Sequence, residues 1–275
     1  MQRAAAQVKP SQSEIAAEAN FYIAAVGTPA RPRRTLKYGD TFIVTDNHGD
    51  IGASAGDPDG LFHADTRFLS RLELLLNDGH PMLLGSNVRD DNTVLAVDLT
   101  NPDYYENGEI VLRKDVVHIA RTIFLWHGAA YQRIALRNHG ERPVKLRLLL
   151  SFGSDFADLF EVRGMKRSRR GTATSAVTAP DQAVLSYHGL DEVTRRTQLT
   201  FDPAPNDLSV SGAFYAFDLA PGEAKRIFLV ASADADGERP VPFVRGLLAA
   251  HRELRAATRG MTTIETSNEL FNEVL

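Results

Sequence analysis

Between Val144 and Phe152 apolar and polar residues take turns. Val144, Leu146, Leu148, Leu150 and Phe152 alternate with Lys145, Arg147 and Ser151. Successive side chains of an extended chain point to opposite faces, so this pattern is a strand with one face on a core and one face wetter. Ile134 and Leu136, set between Arg133 and Arg137, repeat it. Residues 116–126 are apolar on both faces apart from His118 and Arg121, which predicts a central strand covered on both sides. Further strand-like runs lie at 41–45, 69–76, 82–88, 93–99, 183–187, 195–201, 212–219 and 225–233. Asn77-Asp78-Gly79, Asn107-Gly108 and Asn138-His139-Gly140 supply turn residues that tolerate positive φ. Four histidines precede glycine, His48, His127, His139 and His188, and are read as turn residues, not metal ligands. Many strands joined by such turns predict a mainly β protein, an antiparallel β-sandwich.

The flanks differ from this centre. Residues 1–35 combine Ala4 to Ala6, Ser11 and Ser13 with Pro29, Arg31, Pro32, Arg33 and Arg34, the composition of a flexible lead-in. A short helix is expected at 13–21. The sandwich is expected over 36–233. An acidic connector with Gly237, Pro240 and Pro242 then leads to Val244, Leu247, Leu248, His251 and Leu254 at helical spacing. Pro240 and Pro242 suit the start of that helix and Gly260 its stop. After Ser267 a second apolar pattern, Leu270, Phe271, Val274 and Leu275, is still running at the last residue. Residues 234–275 are therefore expected to be a linker helix and the start of a further helical domain.

Composition removes several function classes. The 275 residues carry a net charge of −4, which gives no electrostatic reason to expect nucleic acid or a membrane surface as partner. There is no cysteine, so disulfides and thiolate metal sites are excluded. No apolar run reaches membrane-spanning length, and Met1 to Pro10 lack the apolar segment of a signal peptide. The expected compartment is the cytoplasm. No phosphate loop, dinucleotide fingerprint, nucleophile elbow or His-x-x-x-His spacing occurs, so neither cofactor nor metal is expected. Trp126 ends a doubly apolar strand and is expected to pack in the core.

Two stretches set charges among aromatics. The first is Gly60-Leu61-Phe62-His63-Ala64-Asp65-Thr66-Arg67-Phe68-Leu69-Ser70-Arg71-Leu72-Glu73-Leu74. Asp65 and Arg67 are two residues apart and would share one face of an unbroken strand. Between Phe62 and Phe68 they are expected to be partly buried and satisfied inside the domain, though not necessarily by each other. The second is Asp155-Phe156-Ala157-Asp158-Leu159-Phe160-Glu161-Val162-Arg163-Gly164. Its acids recur every three residues and would lie near one face of a helix. Paired carboxylates are what glycoside hydrolysis requires, so this is the one candidate for an intrinsic site. The plainer reading is a loop anchored by Phe156 and Phe160, with Arg163 neutralising the acids. Lys166, Arg167, Arg169 and Arg170 follow between Gly164 and Gly171 and read as a mobile, solvated loop.

Together with Gly39-Asp40-Thr41-Phe42-Ile43-Val44-Thr45-Asp46 and Gly49-Asp50-Ile51, these stretches resemble a known family over residues 36–275. It is the N-terminal domain of bacterial glycogen-debranching-enzyme-like proteins, the amylo-alpha-1,6-glucosidase-like family. The resemblance implies a large sandwich of the super-sandwich type that precedes an all-helical barrel carrying the glycosidase carboxylates. It implies an accessory domain, without catalytic residues of its own, of an α-glucan-acting glycoside hydrolase. The implied partners are the C-terminal helical catalytic domain of the same polypeptide and an α-glucan. Asp65, Arg67, Asp155, Asp158, Glu161 and Arg163 are the candidates for contact with substrate or with that domain. Two other readings stay open. A free-standing carbohydrate-binding module would show a line of exposed aromatics, for instance Tyr104, Tyr105, Tyr131 or Tyr215. A structural or oligomerising sandwich would show an exposed apolar patch and no ligand.

Overall fold

The computed structural model describes residues 32–52, 58–89, 91–235, 237–259 and 266–267. The helix expected at 13–21, the stop at Gly260 and the pattern from Leu270 to Leu275 lie outside them. Every strand pairing is antiparallel. One layer is an eight-stranded sheet in the order β13 (Thr172–Ala179), β14 (Gln182–His188), β15 (Thr194–Asp202), β18 (Ala224–Ala233), β11 (Ala129–Asn138), β10 (Val117–Trp126), β7 (Val94–Thr100) and β6 (Met82–Val88). A four-stranded sheet has the order β16 (Asp207–Leu208), β17 (Gly212–Leu219), β12 (Val144–Gly153) and β5 (Arg71–Leu76). A second joins β1 (Arg33–Tyr38), β2 (Thr41–Asp46), β3 (Gly60–His63) and β4 (Thr66–Leu69). The hairpin of β8 (Tyr104–Glu106) and β9 (Glu109–Leu112) stands apart from these sheets.

The alternation read in residues 144–152 is the burial pattern of β12: Val144, Leu146, Leu148, Leu150 and Phe152 are buried while Lys145 and Arg147 are exposed. They share one core with Leu72, Leu74 and Leu76 of β5, Ile119 and Ile123 of β10, Ile134 of β11 and Ile227 of β18. The protein is a mainly β sandwich held by burial of apolar surface between its sheets. The strands begin earlier than composition suggests. Arg33 and Arg34, read as linker, open β1. Arg33 Nε lies 2.7 Å from Asp59, and Arg34 Nε donates to Ser86 Oγ at 3.2 Å.

β10 is covered on both faces, but unevenly. Ile119, Arg121, Ile123 and Leu125 face the inner core, while on the outer side Phe124 is buried and Trp126 half-buried. Their cover is a helix, α2 (Phe243–Thr258); the other helix among the described residues, α1 (Leu159–Val162), is a single turn after β12. The face α2 buries is only in part the one its large residues suggest. Phe243, Gly246 and Ala250 are buried, whereas Val244 and Leu248 are exposed. A Cβ at Gly246 would stand 3.3 Å from Tyr131 and 3.4 Å from Phe124, so the small residue lets the helix approach the rings. Of the apolar set Val244, Leu247, Leu248 and Leu254, Leu247 packs on the outer cluster beside Phe243, while Gly246 and Ala250 take buried positions that large residues would fill less closely.

Arg121, which broke the apolar run of β10, has a side chain with no solvent exposure. Its Nη1 donates to Asp50 Oδ1 and to the His48 carbonyl, both at 2.6 Å, and its Nη2 to the Gly49 carbonyl at 2.9 Å. With its amide oriented by this network, the Gln132 oxygen accepts from Nε and Nη2 at 2.8 Å each. Asp50 also accepts from the Leu74 backbone N–H at 3.1 Å. Burial pushes the Asp50 carboxyl up and Arg121 pulls it back down. This cluster joins the loop after β2 to β5, β10 and β11.

Candidate functional site

The two charged stretches meet at one end of the sandwich. β3 and β4 form a hairpin whose two-residue turn is Ala64 and Asp65, with φ of 42° and 67°. Both are exposed. The expectation that Asp65 shares a buried strand face with Arg67 is therefore corrected. The strand is broken between them, and aspartate is one of the few residues that accept the left-handed conformation a tight hairpin needs.

Arg67 sits on β4 with its side chain 12% exposed. A Cβ at Gly60 would come within 2.5 Å of its Cδ, so that glycine leaves the path of the side chain open. Its Nε donates to Asp155 Oδ1 at 3.1 Å, its Nη2 to Asp155 Oδ2, and its Nη1 to the Asp59 carbonyl at 3.2 Å. The Arg67 backbone N–H donates to the Ala157 carbonyl at 2.8 Å. The first stretch thus holds the second through a two-pronged guanidinium–carboxylate pair and a backbone bond.

The acids of the second stretch do not share a helix face. Asp155 precedes α1 and caps the Ala157 N–H at 3.2 Å. Asp158 is the N-cap of α1, accepting from the Phe160 and Glu161 N–H groups at 2.9 and 2.8 Å. Glu161 returns a bond to the Asp158 N–H at 3.2 Å. This is a reciprocal capping box. Arg163 does not neutralise these acids. It is the exposed C-cap residue, and the task falls to Arg67, Arg167 and Arg170. Arg167 pairs with Asp158 and lies 3.6 Å from Glu161; Arg170 lies 3.4 Å from Glu161 and packs 5.6 Å over the Tyr187 ring. Two of the four cations in the supposed solvated loop are therefore fixed by ion pairs.

Phe156 anchors this loop: it is buried, edge-on to Phe68 at 5.8 Å and stacked on Tyr187 at 5.7 Å. Phe160 does not; it is 62% exposed, with Met165 at 46%. Around them Arg163, Lys166 and Arg169 are exposed and have no ion-pair partner among the described residues. The loop therefore has an inner side committed to architecture and an outer side of apolar and cationic groups.

At the same end Glu253 of α2 gathers three donors that sequence reading did not connect. Tyr38 Oη donates to it, Trp126 Nε1 at 3.1 Å, and His127 Nε2 lies 3.2 Å away. These bonds, led by that of Tyr38, hold the Glu253 carboxyl below its ordinary range. Burial and the facing carboxylate push the Tyr38 hydroxyl up to about 12. Trp126 is thus half-buried beneath the helix with its N–H engaged, not packed in the inner core. Of the four histidines before glycine, His127 has positive φ, 44°; at His48 the following Gly49 takes that conformation.

The tyrosines proposed as a sugar-facing line are split. Tyr131 and Tyr215 are buried in two different cores, and of the four only Tyr105 is exposed, beside half-buried Tyr104. Among the described residues no three His, Asp or Glu side chains are grouped to hold a metal ion. Among them no helix is long and apolar enough to cross a membrane.

Comparison with known proteins gives a family. The family described as the N-terminal domain of (some) glycogen debranching enzymes matches residues 36–230. No curated protein matches the chain. Among solved structures, a protein described as a kojibiose phosphorylase from the human microbiome is 12% identical, with a TM-score of 0.42, over 80% of this chain. The chain spans 27% of that protein's length. A Synechocystis protein is 8% identical with a TM-score of 0.46, covering 78% of this chain and 100% of its own. A galactose mutarotase-like protein from Lactobacillus casei is 8% identical with a TM-score of 0.39, covering 74% of this chain and 100% of its own.

Proposed function

We propose, since the chain belongs to the family of N-terminal domains of glycogen debranching enzymes, that it is the non-catalytic accessory domain of an α-glucan-acting glycoside hydrolase of the amylo-α-1,6-glucosidase type. On this reading it rests on a helical catalytic domain of the same polypeptide and shapes one wall of its cleft. The proposed compartment is the cytoplasm, which the absence of cysteine suits.

The observation that carries the reading is the commitment of the acids in the second stretch. Glycoside hydrolysis needs one carboxyl group to give a proton and another to act as base or nucleophile. Asp155 is held by Arg67, and Asp158 and Glu161 are spent on the capping box and on Arg167 and Arg170. The outer side of the same loop, with Phe160, Met165, Arg163, Lys166 and Arg169, has the mix of apolar and cationic groups suited to a polar domain interface.

The test is an assay of the 275-residue chain on glycogen and on linear α-glucans. No release of reducing sugar is expected. Turnover that disappears in Asp158→Asn would overturn the reading, since asparagine keeps an N-cap and with it the fold. In the full-length polypeptide, Phe160→Asp should raise KM for branched glucan and increase hydrogen exchange in α1. Unchanged kinetics and exchange would remove this loop from the interface.

A further inference from the structure

We propose that a groove at the opposite end of the sandwich binds a neutral oligosaccharide chain. That the chain is an α-linked glucan rests on the function proposed above. β10 runs from Val117, next to the groove residue Val116, to Trp126 at the other end, and β12 from Val144 to Gly153 beside α1. The groove therefore lies a full strand length from the loop that Arg67 holds. Its walls are the β8–β9 hairpin and the near ends of β12 and β17, and its volume is about 1410 Å³. Small-molecule pockets occupy about 300–1,000 Å³, so this opening suits an extended chain.

Its aromatic groups are arranged in depth. Tyr104 donates through Oη to the Leu76 carbonyl at 2.8 Å, and burial pushes its hydroxyl up to about 12. Tyr104 and Phe217 both pack on the inner core, so the floor is rigid. Tyr105 stands beside them, 62% exposed. β9 carries an extra residue, Val111, between the partners of the two tyrosines, which twists the hairpin at that point. An exposed tyrosine on a fixed mount is an apolar face with a polar tip, the surface that the C–H face of a sugar ring covers.

The charges choose the ligand class. Arg147 is paired with Asp78 at 2.6 Å. That leaves Arg113, Arg142 and Lys145 lining the groove together with Glu106, Glu141 and Asp218. None of the six has an ion-pair partner among the described residues. Three cations and three carboxylates cancel, so the groove has no net field to draw in an anion or a cation. It does offer donors of one set and acceptors of the other. A hydroxyl group both donates and accepts, so a ligand dense in hydroxyls and free of charge satisfies both sets at once.

The experiment is calorimetric titration of the chain with maltoheptaose, cellohexaose and a sulfated heparin hexasaccharide, repeated on Tyr105→Ala and Arg142→Ala. Both side chains are exposed, so folding is retained; circular dichroism verifies it. Maltoheptaose should bind, and Tyr105→Ala should weaken it about tenfold. Arg142→Ala should weaken it less. Binding of cellohexaose alone, with the same dependence on Tyr105, would keep the sugar site and overturn its α-glucan assignment. Binding of the heparin hexasaccharide alone, binding untouched by Tyr105→Ala, or no binding by any of the three would overturn the groove itself and leave the accessory-domain reading standing.

Discussion

The inner side of the α1 loop and the groove at the other end of the sandwich use the same kinds of residue in opposite ways. At the end that holds α1, the acids of the second stretch each meet an arginine: Asp155 meets Arg67, Asp158 meets Arg167, and Glu161 meets Arg167 and Arg170. In the groove, beside the paired Arg147, three acids and three cations have no ion-pair partner among the described residues. On the inner side of the α1 loop the aromatics follow suit: Phe68, Phe156 and Tyr187 stack into one anchored series, and only Phe160 on its outer side is exposed, whereas at the other end Tyr105 stands exposed over the groove. The difference teaches that charge among aromatics is not by itself a site. Where charges are paired and rings are stacked, the residues hold backbone segments together. Where both are left open on a rigid mount, they are available to something else.

Removing the most buried pair should give the largest effect. Arg121→Ala leaves Asp50 buried without its cation and should lower stability by about 3–5 kcal/mol. Against a domain stability of roughly 5–15 kcal/mol this is severe. Chemical denaturation monitored by circular dichroism measures it, and a loss below about 1 kcal/mol would show that water reaches Asp50. Arg67→Ala comes next. Its side chain is 12% exposed and that of Asp155 32%, so solvent screening reduces the loss to roughly 1–3 kcal/mol. Asp65→Gly, two residues away, should change stability by less than about 0.5 kcal/mol, because an exposed left-handed turn accepts glycine. Equal losses at the two positions would erase the distinction between anchor and hairpin tip.

Local periodicity made the strands legible; distance in sequence hid what joins them. The alternation over Val144 to Phe152 became β12 with its inward face intact. Arg121 was visible as a break in β10, but its partner Asp50 is 71 residues away, and no local pattern connects them. The groove is likewise built from segments around Tyr105, Arg142 and Asp218 that meet only through topology. Asp158 and Glu161 show how one spacing carries two meanings: acids three residues apart share a helix face inside a helix, and form a capping box where the helix begins between them, as it does here. For α2 the amphipathic pattern gave the helix and, through Leu247, part of its buried side, but not Phe243, Gly246 and Ala250, because Gly246 lies there for closeness to Tyr131 and Phe124, not for apolar size.

The smallest expected effect, and the one that sharpens the contrast most locally, lies at Glu253. This carboxylate is partly exposed, yet Tyr38, Trp126 and His127 all contact it, so it follows the paired logic of its end of the molecule. Its pKa is depressed below the ordinary 4.5. A carboxylate depressed on folding contributes stability that is present above the unfolded value and is lost as pH falls through the folded one. The contact between α2 and the β10 end should therefore be intact at neutral pH and weaken below pH 4.5. Trp126 is the only tryptophan and its N–H is bonded to Glu253, so its fluorescence reports the event directly. An acid titration should show an emission change with a midpoint below 4.5 while circular dichroism still shows the folded sandwich, and Glu253→Gln should abolish that change. A midpoint above 4.5, or a change that persists in Glu253→Gln, would mean that Glu253 is not the group that fastens α2, and the paired logic of this end would stop at the α1 loop.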